Sequence, residues 1–403
     1  MLTLDEARRR LLARAHPTDG EPVALADALG RVLLEARVVA PIDVPPFDNS
    51  AMDGYALRAA DTPGRLRVVG ESAAGGTEVP AVDEGTAVAI ATGAPLPAGA
   101  DAVVPIERVR ERGDTVLVPE AVPRGAHVRA AGHDTVAGDE ICLPGELTPA
   151  AIAVLASLGL GRVEVRRRPR VAILSTGDEL VGPGEPLGPG RIHDANGVAL
   201  AAAVTDAGGT PIALPRAPDE AGPTEDALTD AAARADLVVT SGGVSVGRRD
   251  HVRAVLDRHG GLHFWRVAVQ PGKPLAVGAL GGTTVIGLPG NPVSALVTFE
   301  LFVRPFIRAM LALEADGRVH LRATPTERMP KDPERRAFLR VRVRRETGAD
   351  RAAPAGGQQS SQLRPMADAN ALLVVPEGAD AAEPDLTYEA IMLEPIVTGG
   401  PSS

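Results

Sequence analysis

Small, hydroxyl-bearing and acidic residues follow three apolar segments of the chain. In chain order these residues are Ser175, Thr176, Gly177, Asp178 and Glu179; Ser241, Gly242, Gly243, Ser245, Gly247 and Asp250; and Pro289, Gly290, Asn291 and Pro292. In an open α/β sheet the ligand crevice lies outside the carboxyl ends of the strands. We therefore expect hydroxyls, carboxylates and backbone N–H groups to meet at one rim, a set suited to a phosphate-bearing ligand.

The glycine-rich segment does not match a nucleotide-triphosphatase loop. Gly242 and Gly247 have the spacing of a phosphate-binding P-loop, but Arg248 and Arg249 stand where Lys and Ser or Thr are required. Glycines still let backbone N–H groups approach an anion closely, ahead of a helix whose amino end favours negative charge. An anion site and a plain tight turn both stay open for this segment.

Three acids of this rim predict a divalent cation. Carboxylates beside a phosphate repel it unless a cation lies between them, so Asp178, Glu179 and Asp250 indicate Mg²⁺ bridging carboxylate and phosphate oxygens. An isolated acid is more often a helix cap or a solvated surface charge. The position of these acids after apolar strands favours the metal site.

A second polar segment lies earlier in the chain, where Asp48, Asn49, Ser50 and Asp53 follow two prolines. It supplies many short-range donors and acceptors. An Asx-type turn leading into a strand explains the same residues without a function. Both interpretations also apply to Thr92, which lies in a turn and whose hydroxyl can face either a ligand or solvent.

The rim residues need a sheet to position them, and residues 169–318 predict one. The predicted strands are Val171–Leu174, Pro211–Leu214, Leu237–Thr240 and Thr284–Leu288, and the predicted helices are Val198–Ala207, Thr224–Ala235, His251–His259 and Pro292–Leu313. Continuous apolar strands alternating with helices are typical of a parallel sheet covered on both faces. The prediction is a doubly wound α/β domain.

The remaining sequence predicts further domains around this one. Residues 1–42 and 136–168 show helical spacing, for example Val23, Leu25 and Leu29, and predict a helical domain. Residues 43–135 predict an inserted β-domain with short Val-rich strands. Residues 319–403 predict a compact terminal β-domain. Its expected elements are strands at Phe338–Arg344, Leu372–Val375 and Ala390–Ile396, and a loop over Gly348–Gln362.

The composition of the chain argues against several classes of binding partner and of metal site. The net charge of −10 argues against nucleic acid, because neutralising phosphates needs a surplus of Lys and Arg. The lone Cys142 excludes a disulfide framework or a thiolate metal cluster within one chain. The amino terminus does not resemble a signal peptide, and no apolar run approaches the roughly twenty residues of a membrane span. A cytoplasmic protein without a membrane partner is expected.

Six motifs of the chain resemble one family. They are PFDNSAMDGYA (46–56), ATGAP (91–95), LSTGDEL (174–180), SGGVSVGRRD (241–250), QPGKP (270–274) and GLPGNPVSA (287–295). In this order they resemble the molybdopterin molybdenumtransferases, the MoeA and gephyrin E-domain family, over essentially the whole chain. The resemblance implies a helical domain interrupted by a β-domain, a MogA-like molybdopterin-binding α/β domain and a C-terminal β-barrel.

The resemblance also implies a reaction, namely Mg²⁺-dependent cleavage of the pyrophosphate link in adenylylated molybdopterin, with molybdate inserted and AMP released. It implies a homodimer whose cleft lies between the α/β domain of one chain and the β-domain of the other, with molybdopterin adenylyltransferase as pathway partner. Motif positions assign catalysis to Asp53, Thr92, Glu179 and Asp250, and metal binding to Asp53, Glu179 and Asp250. The resemblance assigns substrate binding to Asp134, to Asp219 and to the remaining rim residues given above.

Lys273 is a cation inside a matched motif, and the resemblance implies that it binds pterin phosphate or molybdate. Arg266 and Gln270 stand where the resemblance leads us to expect Lys. Arg keeps the charge but not the shape of Lys, whereas Gln270 loses the charge. The choice between molybdate and tungstate therefore stays open.

Two residues of the terminal domain join the expected substrate site. Arg340 and Ser360 occupy positions at which the family's barrel offers groups to the cleft. Gln359 stands in place of an expected Gly, so that the local loop is expected to differ in shape. A purely structural role explains Arg340 and Ser360 equally well.

Two other functions compete with the insertase. One is a non-catalytic molybdopterin carrier or scaffold, which would not need the acids Asp53, Glu179 and Asp250. The other is the adenylyltransferase itself, whose resemblance is confined to the α/β domain. The inserted and terminal domains favour the insertase.

Overall fold

The computed structural model describes residues 1–76, 79–244, 251–346 and 348–398, and only the backbone of Trp265, Val397 and Thr398. The chain divides into two compact units, Gly20–Val165 and Met1–Asp19 with Arg166–Ser403. The α-helices in these ranges are α1 Leu4–Leu12, α2 Pro149–Ser157, α3 Ala195–Asp206, α4 Ala221–Arg234, α5 His251–Arg258, α6 Pro292–Thr298, α7 Arg304–Met310 and α8 Arg364–Asp368. None of them is long and apolar enough to cross a membrane. The finer division into four domains stays a prediction.

The first unit is rich in strands. They are β1 Gly20–Ala24, β2 Arg37–Val39, β3 Asn49–Ser50, β4 Gly54–Leu57, β5 Gly64–Ser72, β6 Thr86–Ile90, β7 Ala102–Pro105, β8 Arg110–Arg112, β9 Thr115–Val118, β10 Val128–Arg129, β11 Glu140–Cys142 and β12 Arg162–Arg166. Six of them form one sheet in the order β7-β4-β6-β5-β9-β8. Every residue of β4 is buried, because β4 lies between β7 and β6. This sheet confirms the Val-rich strands expected in the β-domain.

The helical interpretation of Val23–Leu29 was wrong. Gly20–Ala24 is β1, which pairs with β12, and it is followed by the short 3₁₀ turn Leu25–Asp27. Pro22 has no N–H for an internal helical hydrogen bond, so a helix through this segment is disfavoured. The helical spacing expected within residues 136–168 is confirmed by α2. Thr148 caps this helix by accepting from Ala151 N at 3.2 Å, and Pro149 occupies its first turn.

Seventeen strands of the second unit are described. They are β13 Arg170–Ser175, β14 Leu180–Val181, β15 Ile192–His193, β16 Thr210–Ala213, β17 Leu237–Ser241, β18 Leu262–Trp265, β19 Val269–Gln270, β20 Ala276–Leu280, β21 Thr283–Leu288, β22 His320–Pro325, β23 Met329–Pro330, β24 Arg336–Glu346, β25 Ala349–Pro354, β26 Ala371–Val375, β27 Ala381–Ala382, β28 Tyr388–Met392 and β29 Val397–Thr398. They form two principal sheets, one in the α/β domain and one in the terminal domain.

The α/β sheet has the order β16-β13-β17-β21-β20-β18. The first four strands are parallel, as the sequence predicts. The sheet is mixed, because β20 runs antiparallel to β21 and β18 runs antiparallel to β20. Helices α4 and α5 pack together against one set of strands, and α3 packs with α6 and α7. The register aligns Ser175 with Ser241 and Ser241 with Leu288, so three strand ends coincide at one edge.

The single helix expected over Pro292–Leu313 is interrupted. Helices α6 and α7 are joined by the π-helical turn Phe299–Val303. Pro305 lies in the first turn of α7, where its missing N–H costs little because the helical ladder has just changed its spacing.

The terminal domain is a closed barrel. Strands β24, β25, β22, β28 and β26 follow one another, and β26 pairs with β24 to complete the ring. The loop expected over Gly348–Gln362 was wrong for Ala349–Pro354, which is β25 and pairs antiparallel with β24. Likewise, the strand expected over Ala390–Ile396 ends earlier, at Met392. The closed ring explains how an Ala-rich segment becomes a strand, since the interior accepts the small, fully buried Ala352.

Candidate active site

Three loops at the carboxyl edge of the α/β sheet are tied together. Thr176 N donates to Ser241 O at 3.1 Å, and Gly242 N donates to Leu288 O at 3.0 Å. The Asn196 amide donates to Ser241 Oγ at 2.7 Å and to Gly290 O at 2.8 Å. The rim expected from the sequence is therefore present, and Asn196 joins two of its loops.

These loops surround a cleft with a volume of about 490 Å³, called here the rim cleft. Its lining includes Thr176, Glu179, Leu180, Ile192, His193, Asp194, Ala195, Asn196, Ser241, Gly242, Gly243, Val244, Pro274, Pro289, Gly290, Asn291 and Pro292. Hydroxyl, amide and peptide groups predominate among its polar atoms. Such a lining can accept hydrogen bonds from, and donate them to, an uncharged ring system and its phosphates.

The two neighbouring acids of the rim have different environments. The side chain of Asp178 accepts from Asp219 N at 3.2 Å, and the ring Nε2 of His251 lies 3.1 Å from Asp219 O. Glu179 instead lines the cleft. Its carboxylate lies over Gly177, where an added Cβ would come within 2.7 Å of it. Asp178 thus orders a loop, while Glu179 presents its charge to the cleft.

Part of the predicted site lies outside the described residues, namely Ser245, Gly247 and Asp250. Within the described ranges, no group of three or more His, Cys, Asp or Glu side chains is arranged to hold a metal. Glu179 is therefore not joined by two further described acids. Whether Asp250 lies beside Glu179 stays a prediction.

A second cleft, of about 550 Å³, adjoins the first and is called here the barrel cleft. It is lined by Gln270, Pro271, Gly272, Lys273, Pro274, Pro289, Asn291, Ser294, Arg335, Gln358, Gln359 and Ser360. Three of these residues also line the rim cleft, namely Pro274, Pro289 and Asn291. The Asn291 amide donates to Ser360 Oγ at 3.1 Å, which ties the sheet rim to the barrel loop. Two predicted substrate residues from different domains are thus in contact.

Arg340 is fully buried beneath this barrel loop. Its Nη2 donates to the carbonyl oxygens of Gly357 at 2.6 Å and Gln359 at 3.2 Å. Among the described residues, Nε and Nη1 of Arg340 have no hydrogen-bond partner. Burial lowers the pKa of the guanidinium from its ordinary value. Burying a guanidinium with two unpartnered nitrogen atoms costs free energy of folding, and a bound anion nearby would offset part of that free energy.

Asp53 and Thr92 form a pair in the β-domain. Asp53 Oδ1 accepts from Thr92 N at 2.7 Å and from Thr92 Oγ1 at 2.9 Å. These hydrogen bonds, the backbone one first, lower the pKa of Asp53. Asp53 is therefore an oriented, exposed carboxylate. By contrast, the carboxylate of Asp48 accepts from Ala131 N at 2.8 Å, a contact with a residue distant in the sequence and not an Asx-type turn.

Asp134 lies on a loop that follows the same segment. Its backbone N donates to Val44 O at 2.9 Å, and its side chain is exposed. Gly132 N, two residues earlier, donates to Pro45 O at 2.9 Å. The structure thus places the Asp134 loop along the entry to the Asp53 segment, and the substrate role of Asp134 stays a prediction.

Replacing Thr92 by Val should raise the pKa of Asp53 toward its ordinary value, because one of the two hydrogen bonds is lost. A lowered carboxyl pKa contributes stability above the unfolded-state pKa and loses it as pH falls through the folded-state pKa. The variant should therefore lose the Asp53 carboxylate at a higher pH than the wild type. NMR titration of the Asp53 carboxyl carbon measures this, with Thr92→Ser as control. An unchanged pKa in Thr92→Val would contradict the assignment.

Comparison with known proteins agrees with this geometry. Three family models match, described as "MoeA N-terminal region (domain I and II)" at residues 2–159, "Probable molybdopterin binding domain" at 172–309, and "MoeA C-terminal region (domain IV)" at 322–384. The chain is 42% identical to molybdopterin molybdenumtransferase 2 of Mycobacterium tuberculosis over 88% of this chain and 90% of that protein. The chain belongs to the MoeA family.

Further relatives support the assignment to the MoeA family. The molybdopterin molybdenumtransferase of Haemophilus influenzae is 43% identical over 76% of this chain and 77% of that protein. A crystal structure of the molybdopterin biosynthesis MoeA protein of Pyrococcus horikoshii superposes with a TM-score of 0.85, at 32% identity, over 98% of this chain and 100% of that one. The family is one of transferase enzymes, which confirms the resemblance and the enzyme class drawn from the motifs.

The sequence missed some residues that shape the MoeA-type site. Asp194 caps α3 by accepting from Gly197 N at 2.8 Å, and Asn196 in the first turn of that helix joins two rim loops. An Asp before a helical segment is a signal for such a cap, and an Asn two residues later then lies at the helix start. Conversely, Arg266, which has a positive φ of 71°, is not among the residues lining either cleft.

Proposed function

We propose that this chain inserts molybdate into adenylylated molybdopterin in a Mg²⁺-dependent reaction that releases AMP. The main observation behind the proposal is that the two clefts are adjacent, because both are lined by Pro274, Pro289 and Asn291. An organic diphosphate in one cleft and an oxyanion in the other would lie side by side. Holding two reactants in adjacent sites supplies much of the rate enhancement of a bimolecular reaction.

The rim cleft would bind the pterin and its diphosphate. The hydroxyls of Thr176 and Ser241 and the glycine-rich turn supply donors of the kind that bind phosphate oxygens. Asn196 would keep the Ser241 and Gly290 loops at a fixed separation. Because these donors are fixed before the substrate arrives, little reorganisation is needed when charge develops on the diphosphate.

The carboxylates present fit a hard cation. Glu179 lines the rim cleft, and Asp53 is an exposed, ionised carboxylate held by Thr92. Oxygen ligands of this kind suit Mg²⁺, and we infer that Asp250 completes the set. When bound, Mg²⁺ would neutralise negative charge on the diphosphate and on the departing AMP.

The barrel cleft would bind molybdate. Lys273 lines it as an exposed cation, and Ser360 offers a hydroxyl already aligned by Asn291. Beneath the same loop, two nitrogen atoms of Arg340, Nε and Nη1, have no hydrogen-bond partner in the described part of the chain. Positive charge and hydroxyl donors together suit a tetrahedral dianion. This supports Ser360 as a substrate residue, whereas Arg340 lines neither cleft and its substrate role stays a prediction.

We also propose a homodimer in which Asp53 and Thr92 of one subunit serve the rim cleft of the other. The support is that Asp53 is an exposed carboxylate whose Oδ1 is held by two hydrogen bonds from Thr92. Adenylylated molybdopterin would come from an adenylyltransferase as the preceding enzyme. A cytoplasmic location fits the lone, exposed Cys142, since a reducing compartment keeps such a thiol free.

The proposed reaction is tested by AMP release. Purified protein with adenylylated molybdopterin and Mg²⁺ should release AMP when molybdate is added, and chelation of Mg²⁺ should stop the release. Chromatographic quantification of AMP measures both. AMP release that ignores molybdate, or its absence, would instead support a binding protein or an adenylyltransferase.

A further inference from the structure

Gln270 lines the barrel cleft, and its side chain is engaged in a hydrogen bond to a neighbouring turn. Its Oε1 accepts from Asp332 N at 2.9 Å, so its amide holds the turn at residues 332–335 that precedes β24. Backbone pairing supports the same contact, because Val269 pairs with Arg336 and Gln270 with Ala337 in parallel. Gln270 is uncharged, and its side chain therefore positions a turn at the edge of the cleft.

That turn carries Arg335 into the same cleft. Asp332 Oδ2 accepts from Arg335 Nε at 2.7 Å and lies 2.6 Å from Nη2, and Lys331 Nζ donates to Arg335 O at 2.6 Å. Hydrogen bonds from the Glu334 backbone and the Arg335 side chain lower the pKa of Asp332, so its carboxylate stays charged. One edge of the guanidinium is thus fixed, while its Nη1 makes no hydrogen bond to any described residue.

We infer that Arg335 is a specificity-determining residue that binds a tetrahedral oxyanion together with Lys273. The inference rests on the proposed oxyanion role of the barrel cleft. A guanidinium anchored along one edge has lost its rotational freedom before the anion binds, so its remaining N–H groups bind with little further ordering. The carboxylate of Asp332 offsets part of the positive charge of Arg335. The contribution of Arg335 to anion affinity therefore depends on the geometry of its N–H groups as well as on net charge.

The tetrahedral dianion has two sources in the proposed reaction, molybdate and the terminal phosphate of the pterin. Equilibrium dialysis of the full-length protein at fixed ionic strength, with molybdate alone and with inorganic phosphate alone, separates them. Arg335→Gln should bind the recognised anion about tenfold more weakly, the effect expected for one charge-assisted hydrogen bond. A loss confined to the phosphate arm would assign Arg335 to the pterin phosphate.

The double variant Arg335→Gln with Gln270→Lys should recover part of the lost affinity, because it returns a cation to the cleft but gives up the hydrogen bond from Asp332 N that holds the turn. Arg345→Gln, which removes an exposed Arg paired with Asp350 outside the cleft, should bind as the wild type does. Thermal unfolding of each variant excludes misfolding as the cause. If the wild type binds an anion and Arg335→Gln binds it with the same affinity, the role of Arg335 is overturned while the oxyanion role of the cleft stands. Wild-type protein that binds neither anion would overturn it together with the oxyanion role of the cleft.

Discussion

Subunits carrying Asp53→Asn and subunits carrying Glu179→Gln should each release AMP at least about 100-fold more slowly than the wild type, yet their mixture should recover activity. Each change removes one negative ligand without changing side-chain volume, and single groups that stabilise developing charge contribute about 100-fold or more. In a random mixture about half of the dimers are hybrids. With a site shared between subunits, one of the two sites in each hybrid is intact, which gives about a quarter of the wild-type rate.

The mixing experiment separates a shared site from a site within one chain. If both residues served the same chain's cleft, every site in a hybrid would lack one carboxylate and the mixture would stay inactive. Subunit exchange is verified with two distinguishable affinity tags. Glu220→Gln is the matched control, because Glu220 is an exposed acid that lines neither cleft. Full activity of either variant alone would remove the corresponding residue from the metal set.

The parallel core of the α/β domain was predictable because its strands are buried on both faces. Ile173 and Val239 illustrate this, since each lies in a segment without polar interruption. Strands β18 and β20 were missed because their short segments are separated by Gly and Pro and their pairing is set by neighbours distant in sequence. Strand β25 was missed for a related reason, since Ala, Asp and Pro have low intrinsic strand preference and ring closure overrides it.

The candidate site was predictable as a set of loops but not in its internal contacts. Asp178 and Glu179 are adjacent acids after one strand, and the residue pattern treats them alike, although the family resemblance assigns only Glu179 to the metal. The structure separates them, because Asp178 accepts from the Asp219 backbone and Glu179 lines the rim cleft. Asn196 carries no charge and matches no spacing rule, so its role in joining two loops is visible only once those loops are in place.

Gly242→Ala should reduce AMP release by at least about 100-fold with a much smaller effect on global stability. Gly242 has a φ of 94°, and a Cβ there would lie 2.7 Å from Thr176 Oγ1 and 3.0 Å from Thr176 O. The second atom is backbone, so relief requires one rim loop to move away from the other. Such local strain costs about 1–3 kcal/mol. Displacement of a substrate-positioning loop by about 1 Å costs about 100-fold in rate.

Gly222→Ala is the matched control, because Gly222 lies in the first turn of α4 and an added Cβ there would meet nothing within 4 Å. That change should leave AMP release unaltered and stabilise the fold by at most about 1 kcal/mol, since Ala restricts the unfolded chain more than Gly does. Chemical unfolding and AMP release, measured on both variants, compare the two effects. If Gly242→Ala released AMP within a factor of about three of the wild type, the glycine turn would not fix the geometry on which the rate depends. If Gly242→Ala loses activity and Gly222→Ala does not, the close approach of the Thr176 and Gly242 loops sets the catalytic geometry.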